Sequence, residues 1–439
     1  MRLRRTQHHS DNCLAGGRVM SRPVISNFAD SKSFPFFFCL LMQSIISLLD
    51  DQTVWEEFLA HRLTKGRFTW PMFSDADDFV ENERYLPVAR AFMDGTGPGI
   101  PEVKRINKMG TGKKRTVYCF SPEETRVLKL MAFLLYRYDD RFSHNCYSFR
   151  RGIKASDAIF RLRKELRGRK MWAYKLDIHD YFNSISIPVL LPILKNLLRD
   201  DQPLYSFFER MLTDGRARIG EEIIRAERGV MAGTPTSPFL ADVYLMEVDR
   251  YFAEKGIIYA RYSDDIILFA TDIEELERHK SALSGFLKEY RLEVNPEKER
   301  IYTPDEPFEF LGFRCHGEAI DISYAVREKM KRKIRRAARS LNRWRSEKCH
   351  EPEQAMKGLI RIFNEKLFEG DDPDSLSWSR WFFPVINRTE GLKDIDCYLQ
   401  KYIRYLSTGR HTKANFRVRY ADMKALGYRS LVHEFYTHK

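Results

Sequence analysis

The feature that most constrains this chain is the run Ile257–Ala270 (IIYARYSDDIILFA), in which apolar residues flank two adjacent aspartates. Apolar–polar–apolar over that length predicts a β-hairpin with Asp264 and Asp265 at its turn. Two carboxylates between buried strands are costly unless a turn or a cation solvates them. A second run, Met171–Asp177 (MWAYKLD), reads as a buried strand ending on an acid, and His179–Asn183 leads from it into the apolar-rich Ile185–Leu198. Between the two acid-bearing segments lies Gly229–Leu245 (GVMAGTPTSPFLADVYL). Its glycines allow close backbone approach to a ligand, and Ser237-Pro238 predicts a helix start. Each segment alone also fits an ordinary hairpin turn, strand end or loop–helix junction; their order along the chain is what matters.

Composition narrows the class. The 439 residues suffice for two or three domains, and 43% hydrophobic with 31% charged residues excludes a disordered or collagen-like chain. The net charge of +13 points to a polyanionic partner and is unevenly spread. Val326–Lys439 carries 26 Lys and Arg against 14 Asp and Glu, which places a boundary near residue 325. The charge is densest over Arg327–Arg345, with ten basic residues in nineteen. There Met330, Ile334, Ala337, Leu341 and Trp344 recur at helical steps, predicting one apolar seam and a basic remainder. Glu328 is the only acid in the stretch, so phosphate-backbone contacts are expected from Arg327, Lys331, Arg332, Arg335, Arg336, Arg339 and Arg343. Lys413 and Arg417 form a second candidate contact, and Asp394–Leu406 has helical spacing. Seven scattered cysteines without a CxxC suggest neither a disulfide scaffold nor a cysteine zinc site, and fit a reducing cytosol. Phe34–Leu49 is too short and too interrupted for a membrane helix, so a buried element and no membrane partner are expected. Met20 is an alternative start, which would make residues 1–19 an extension foreign to the native protein.

Asp177 followed by Phe182, then Gly229–Pro238, then Tyr262-Ser263-Asp264-Asp265, in this order, resembles a reverse transcriptase. Leu292–Lys298 (LEVNPEK) resembles the family's fourth palm motif, and Phe310–Phe313 (FLGF) its primer-grip hairpin. Lys113-Lys114-Arg115 and Cys146–Ala158 (CYSFRRGIKASDA) resemble its fingers. The resemblance covers about residues 55–325 and rests on several elements recurring in order.

It implies an α+β right-hand polymerase: an N-terminal extension (1–54), fingers (55–170), a palm (171–325) and a basic helical thumb (326–439). The implied activity is RNA-directed DNA synthesis with two Mg²⁺ ions, for which Mn²⁺ can substitute. Asp177 and Asp264 would bridge the metals, the Ile178 carbonyl would be a backbone ligand, and Asp265 would hold the primer-side ion or tune the site. Lys298 resembles the residue that protonates departing pyrophosphate. Lys114, Arg115 and Arg150 are expected on the triphosphate. Phe182 stands at the steric-gate position, which selects dNTPs over NTPs. Ala232 and Gly233 occupy the nucleotide-contacting motif, where many relatives carry a glutamine in place of Ala232, so that side-chain contact to the incoming nucleotide is missing here. Val-Thr-Gly in the C-terminal region and Asn-Ala-x-x-His, the usual retron marks, are absent.

The Gly-x-x-x-Gly-Thr-Pro-x-Ser-Pro form and Leu426–Phe435 resemble the bacterial defence-associated and abortive-infection enzymes. That likeness implies a cytoplasmic antiphage polymerase copying a structured noncoding RNA, with an RNA–DNA hybrid and DNA product as further partners. Two alternatives stay open: a template-independent, protein-primed terminal polymerase, and a non-catalytic RNA-binding protein.

Overall fold

The computed structural model describes residues 43–64, 70–107, 114–226, 228–369 and 377–438. The expected extension up to residue 42, including most of Phe34–Leu49, and Lys113 lie outside them. The fold is α+β, and the described strands form three sheets.

The central sheet has the order β6-β7-β3-β8, from Tyr259–Tyr262, Asp265–Ala270, Trp172–Asp177 and Arg300–Tyr302. β3 pairs antiparallel with β7 from Trp172↔Ala270 to Asp177↔Asp265. Every residue of β7 after Asp265 is buried, because the helix Ile273–Glu289 covers one face and the main core the other. A strand covered on both faces reads as an unbroken apolar run, as Ile266–Ala270 does.

A second sheet, β2-β1-β4-β5, joins the hairpin β1 (Glu102–Asn107) and β2 (Lys114–Cys119) to the hairpin β4 (Arg216–Ile219) and β5 (Glu222–Arg225). β4 pairs with β1 through Glu102↔Arg218. Residues 216–225, expected in the palm, therefore pair with strands of the expected fingers. The third sheet, β11-β10-β9, is built from Ala319–Ile322, Phe313–His316 and Phe308–Phe310. Phe310 pairs with Phe313 across Leu311 and Gly312, whose φ values of +51° and +86° are those of a type I′ turn.

The basic stretch forms the helix Tyr324–Glu347, capped by the Ser323 hydroxyl, which accepts from the Val326 N–H. Its seam buries Met330, Ile334 and Ala338, with Ala337, Leu341 and Trp344 packed beside them. This helix packs on Pro352–Asn364 and Glu390–Thr408, and Glu390–Thr408 also packs on Leu431–Thr437. The chain end is fastened by buried Asp396, which accepts from the Tyr428 and Ser430 hydroxyls and the Leu431 and Val432 N–H groups.

One apolar cluster runs from Ala173, Ile267 and Phe269 of the central sheet, through Phe310 and Phe313, to Ile334, Leu359 and Ile395 of the helices. The change at residue 325 is thus one of charge, not a break in the core. At the other end, Ile45, Leu48 and Leu49 are fully buried, and Asp201 accepts from Ser44 Oγ (2.6 Å) and Ile45 N (2.8 Å). Residues 43–54 therefore belong to the folded body rather than to an extension. No helix among the described residues is long and apolar enough to cross a membrane.

Candidate active site

Asp177 ends β3 and stands directly opposite Asp265, the first residue of β7. Antiparallel partners put both side chains on the same face of the sheet. Asp264 lies in the two-residue turn closed by the pair Tyr262↔Asp265, beside Ser263 at φ +59°. A positive φ at the first central position suits glycine, so a serine there stores local strain. Asp265 is thus in the strand rather than at the turn, and of the two acids only Asp264 is a turn residue. The Ile178 N–H donates to the Asp264 carbonyl at 3.0 Å, locking the end of β3 to the turn.

The segment Leu292–Lys298 is pinned alongside. His179 N donates to Glu293 O (2.7 Å), and Asn295 N donates to Asp177 O (2.8 Å). Lys298 Nζ then reaches Asp177 Oδ2 at 2.6 Å, while half of its side chain stays exposed. Lys175 Nζ lies 3.2 Å from Asp265 Oδ1 as an ion pair. Lys175 was not singled out from sequence. The signal was there, since residues two apart on a strand share a face and Lys175 precedes Asp177 by two.

Burial pushes the Asp264 carboxyl up, and the neighbouring Asp177 charge adds to this. Asp265 is pushed up to about 6, by burial first and by Asp177 and Asp264 in addition, against the pull of Lys175. Among the described residues no group of three or more His, Cys, Asp or Glu forms a ready-made metal cage. The three acids form one repulsive anionic patch with two ammonium groups against it.

Behind the patch lies a buried charge that sequence reading also passed over. Arg261 is fully buried on β6, and its Nη2 and Nε donate to Asp249 (2.5 and 2.8 Å). Its Nη1 donates to Asp242 Oδ1 at 3.1 Å, and Asp242 also accepts from Ser148 Oγ at 2.5 Å. Burial pushes Asp242 up to about 6 although Arg261 opposes the shift. The signal was a lone arginine inside an otherwise apolar strand, which must be paired if buried.

The glycine-rich segment docks against these elements. Gly229 has φ +93°, and a Cβ there would stand 2.9 Å from Asn183 Cα and 3.0 Å from Phe182 O. Gly233, at φ +102°, would put one 3.0 Å from Val117 Cβ. The Ala232 carbonyl accepts from Tyr118 N at 2.8 Å, tying the segment to β2. Ala232 itself is fully buried, so its side chain does not reach a nucleotide, whereas Gly233 is exposed.

Lys114 and Arg115 are exposed on β2, and the Arg115 guanidinium lies 5.7 Å from the Phe182 ring centre. Arg150 is a correction. Its guanidinium donates to the carbonyls of Asp139 (2.7 Å), Ser143 (2.9 Å) and Cys146 (3.1 Å), so it holds a loop together instead of facing a triphosphate. On the basic helix, Arg332, Arg335, Arg336, Arg339 and Arg343 are exposed. Arg327 and Lys331 depart from expectation: both pair with Asp394 of the neighbouring helix, at 3.7 and 2.7 Å. Lys413 and Arg417 are exposed at the ends of a short 3₁₀ turn.

An acid-bearing sheet with this motif order defines a class, and the comparisons agree with it. Residues 106–315 match the family model described as reverse transcriptase (RNA-dependent DNA polymerase). That stretch contains Asp177, Gly229–Pro238 and Tyr262–Asp265. It is similar to the retron Mx65 reverse transcriptase of Myxococcus xanthus, with 28% identity over 144 residues, 30% of this chain and 33% of that protein. It is also similar to the retron Ec86 reverse transcriptase of Escherichia coli, with 22% identity over 235 residues, 52% of this chain and 67% of that protein. The chain thus spans about a third of the length of the first relative and two thirds of the second. Both are retron enzymes, although the two retron sequence marks are missing here. Among solved structures, apo telomerase from Candida tropicalis aligns over 79% of this chain and 74% of its own, with a TM-score of 0.45 and 12% identity.

Proposed function

We propose that this chain is an RNA-directed DNA polymerase that copies an associated structured RNA in bacterial antiphage defence. The observation that carries the reading is Asp177 directly opposite Asp265, with Asp264 in the adjoining turn. Asp264 and Asp265, whose ionisation is opposed by burial and by neighbouring carboxylates, call for cationic company. Hard carboxylate oxygens suit Mg²⁺, or Mn²⁺ in its place. Asp177, Asp264, Asp265 and the Ile178 carbonyl would hold two such ions. When bound, the ions supply activation of the attacking oxygen and stabilisation of the leaving one.

The chemistry joins a primer 3′ oxygen to the α-phosphorus, breaks the bond to the β-phosphate oxygen and releases pyrophosphate. The remaining tasks fall to this chain's own groups. Exposed Lys114 and Arg115 face the triphosphate, and Lys298 offers a proton to the departing pyrophosphate when it leaves Asp177. Phe182 presents its ring to the sugar and disfavours a 2′-hydroxyl. Gly229 lets the glycine-rich segment press on the Phe182 backbone, fixing the height of that ring. The exposed arginines at 332–343, with Lys413 and Arg417, grip the backbone of the RNA template and of the RNA–DNA hybrid. Defence, the associated noncoding RNA and a cytoplasmic bacterial setting rest on the motif form and on the retron enzymes among the relatives.

Primer extension with purified protein, Mg²⁺ and dNTPs tests the reading, run before and after nuclease removal of co-purifying RNA. DNA synthesis that stops on RNA removal and resumes with added RNA template is expected. Synthesis that persists without RNA would transfer the function to the terminal-polymerase alternative. RNA binding without any synthesis would favour the binding-protein alternative.

A further inference from the structure

Phe149 is an outlier on two counts. It is a bulky residue at φ +52°, a region that such side chains rarely enter, and its side chain remains partly open to solvent, at 38% exposure. Strain of this kind persists only where the surroundings over-determine it, and it clusters at functional sites. The residues flanking Phe149 are over-determined. The Tyr147 N–H donates to Arg261 O (2.9 Å), and the Arg261 N–H donates to Asn145 O (3.0 Å), which binds the loop to β6. Ser148 is fully buried on Asp242, at 2.5 Å. On the other side, Arg150 ties three backbone carbonyls, and the Arg151 N–H donates to Asp139 Oδ2 at 2.6 Å. The loop is clamped before and after Phe149, and the clamp holds its ring outward.

The ring meets two residues of the proposed site. Its centre lies 6.2 Å from that of Phe182, at an interplanar angle of 73°, and 6.3 Å from that of Tyr262. Edge-to-face packing of this kind is directional, so Phe149 restrains the orientation of the ring it meets. Arg115 lies against the same Phe182 ring.

We infer that Phe149 is a positioning residue for sugar selection: it sets the pose of the Phe182 ring and thereby the tightness with which a ribose 2′-hydroxyl is refused. The inference deepens the polymerase reading and rests on it. A ring free to turn away would open room for the hydroxyl without removing the gate.

The test measures kcat/KM for a dNTP and for the matching NTP with wild type, Phe149→Asn, Phe149→Tyr and Phe182→Val. Asparagine tolerates the left-handed backbone, so Phe149→Asn removes the ring and relieves the strain together. The dNTP-over-NTP preference is expected to fall about two- to tenfold in Phe149→Asn, the range that one aromatic pair can supply. Phe149→Tyr keeps the ring and is expected to keep the preference. Phe182→Val is expected to lose more of it than either. A variant that merely loosens the fold lowers both rates alike and leaves the ratio unmoved. If Phe149→Asn does not fold, Phe149→Leu is read in its place. An unchanged ratio in the ring-less variant, or in Phe182→Val, overturns the inference. A wild type that incorporates neither nucleotide overturns the polymerase reading itself, which is a distinct result.

Discussion

Asp264 and Asp265 are held where both burial and a neighbouring carboxylate oppose their ionisation, so they are present at a cost to the fold. Replacing Asp264 by Asn removes one negative charge and keeps the shape. In metal-free buffer at neutral pH, Asp264→Asn is expected to raise the melting temperature, by about 1 °C for a relief of about 1 kcal/mol in a chain of this size. Thermal unfolding checks it, and a fall of several degrees would mean the carboxylate is a structural anchor. Cys315 gives a pH prediction. Burial pushes its thiol up to about 12. A folded value above the unfolded one means that its contribution to stability is complete below the ordinary thiol range and is lost as pH rises towards the folded value. Only the thiolate alkylates, so at pH 8 exposed Cys349 and Cys397 are expected to react while Cys146 and Cys315 stay protected until unfolding. Peptide mass spectrometry after alkylation reads this directly. The acids were legible in sequence because each sits at the edge of an apolar run. Lys175 and Arg261 sit inside such runs, where a lone charge looks like a defect until its partner is known. That partner is Asp265 on the paired strand for Lys175, and residues outside the sheet for Arg261.

Elements followed local pattern closely where the period was strong. The hairpin at 259–270, the helix start at Ser237 and the amphipathic helix at 324–347 all appear at the positions expected from spacing. What the pattern could not give was long-range pairing. Nothing in Arg216–Arg225 says that it joins a strand a hundred residues earlier, because strand partners are chosen by tertiary geometry. The same limit applies to Arg327 and Lys331: one acid in the local stretch suggested free cations, yet Asp394 arrives from another helix. Two groups on one helix should therefore behave differently. Replacing Arg332, Arg335, Arg336 and Arg339 by Ala is expected to reduce the slope of log K against log salt for RNA binding by about 3, at about 0.7 per single-strand contact. Replacing Lys331 by Ala is expected to lower the melting temperature and leave that slope nearly unchanged. Filter binding over a salt series separates the two, and equal slopes in all variants would remove the helix from the RNA interface.

At the scale of the molecule, the central sheet and the C-terminal helices share one apolar core that crosses residue 325. The composition shift there invited a domain boundary, since charge is visible in sequence and core continuity is not. A shared core predicts one cooperative unfolding transition for the central sheet and the C-terminal helices. It also predicts that residues 43–325 alone expose the apolar faces of β10 and β11 and do not reach a stable fold. Calorimetry of the full chain and circular dichroism of the fragment check both statements; a well-folded fragment would contradict them. On the proposed reading, a basic helix rooted in the core of the acid-bearing sheet would hold bound nucleic acid at a fixed distance from Asp177.

Incorporation of a single dNTP on an RNA-templated DNA primer, in Mg²⁺ and in chelator, decides whether the three acids act as proposed. Wild type, Asp177→Asn and Asp265→Asn would be compared, with folding verified for each. Loss of partners that only orient metal ligands already costs about 10–100-fold, so loss of a ligand should cost more. Mg²⁺-dependent extension by wild type is expected, with a fall of more than about a hundredfold in Asp177→Asn while its fold is retained. Extension by Asp177→Asn at the wild-type rate, or extension that persists in chelator, would contradict the proposal.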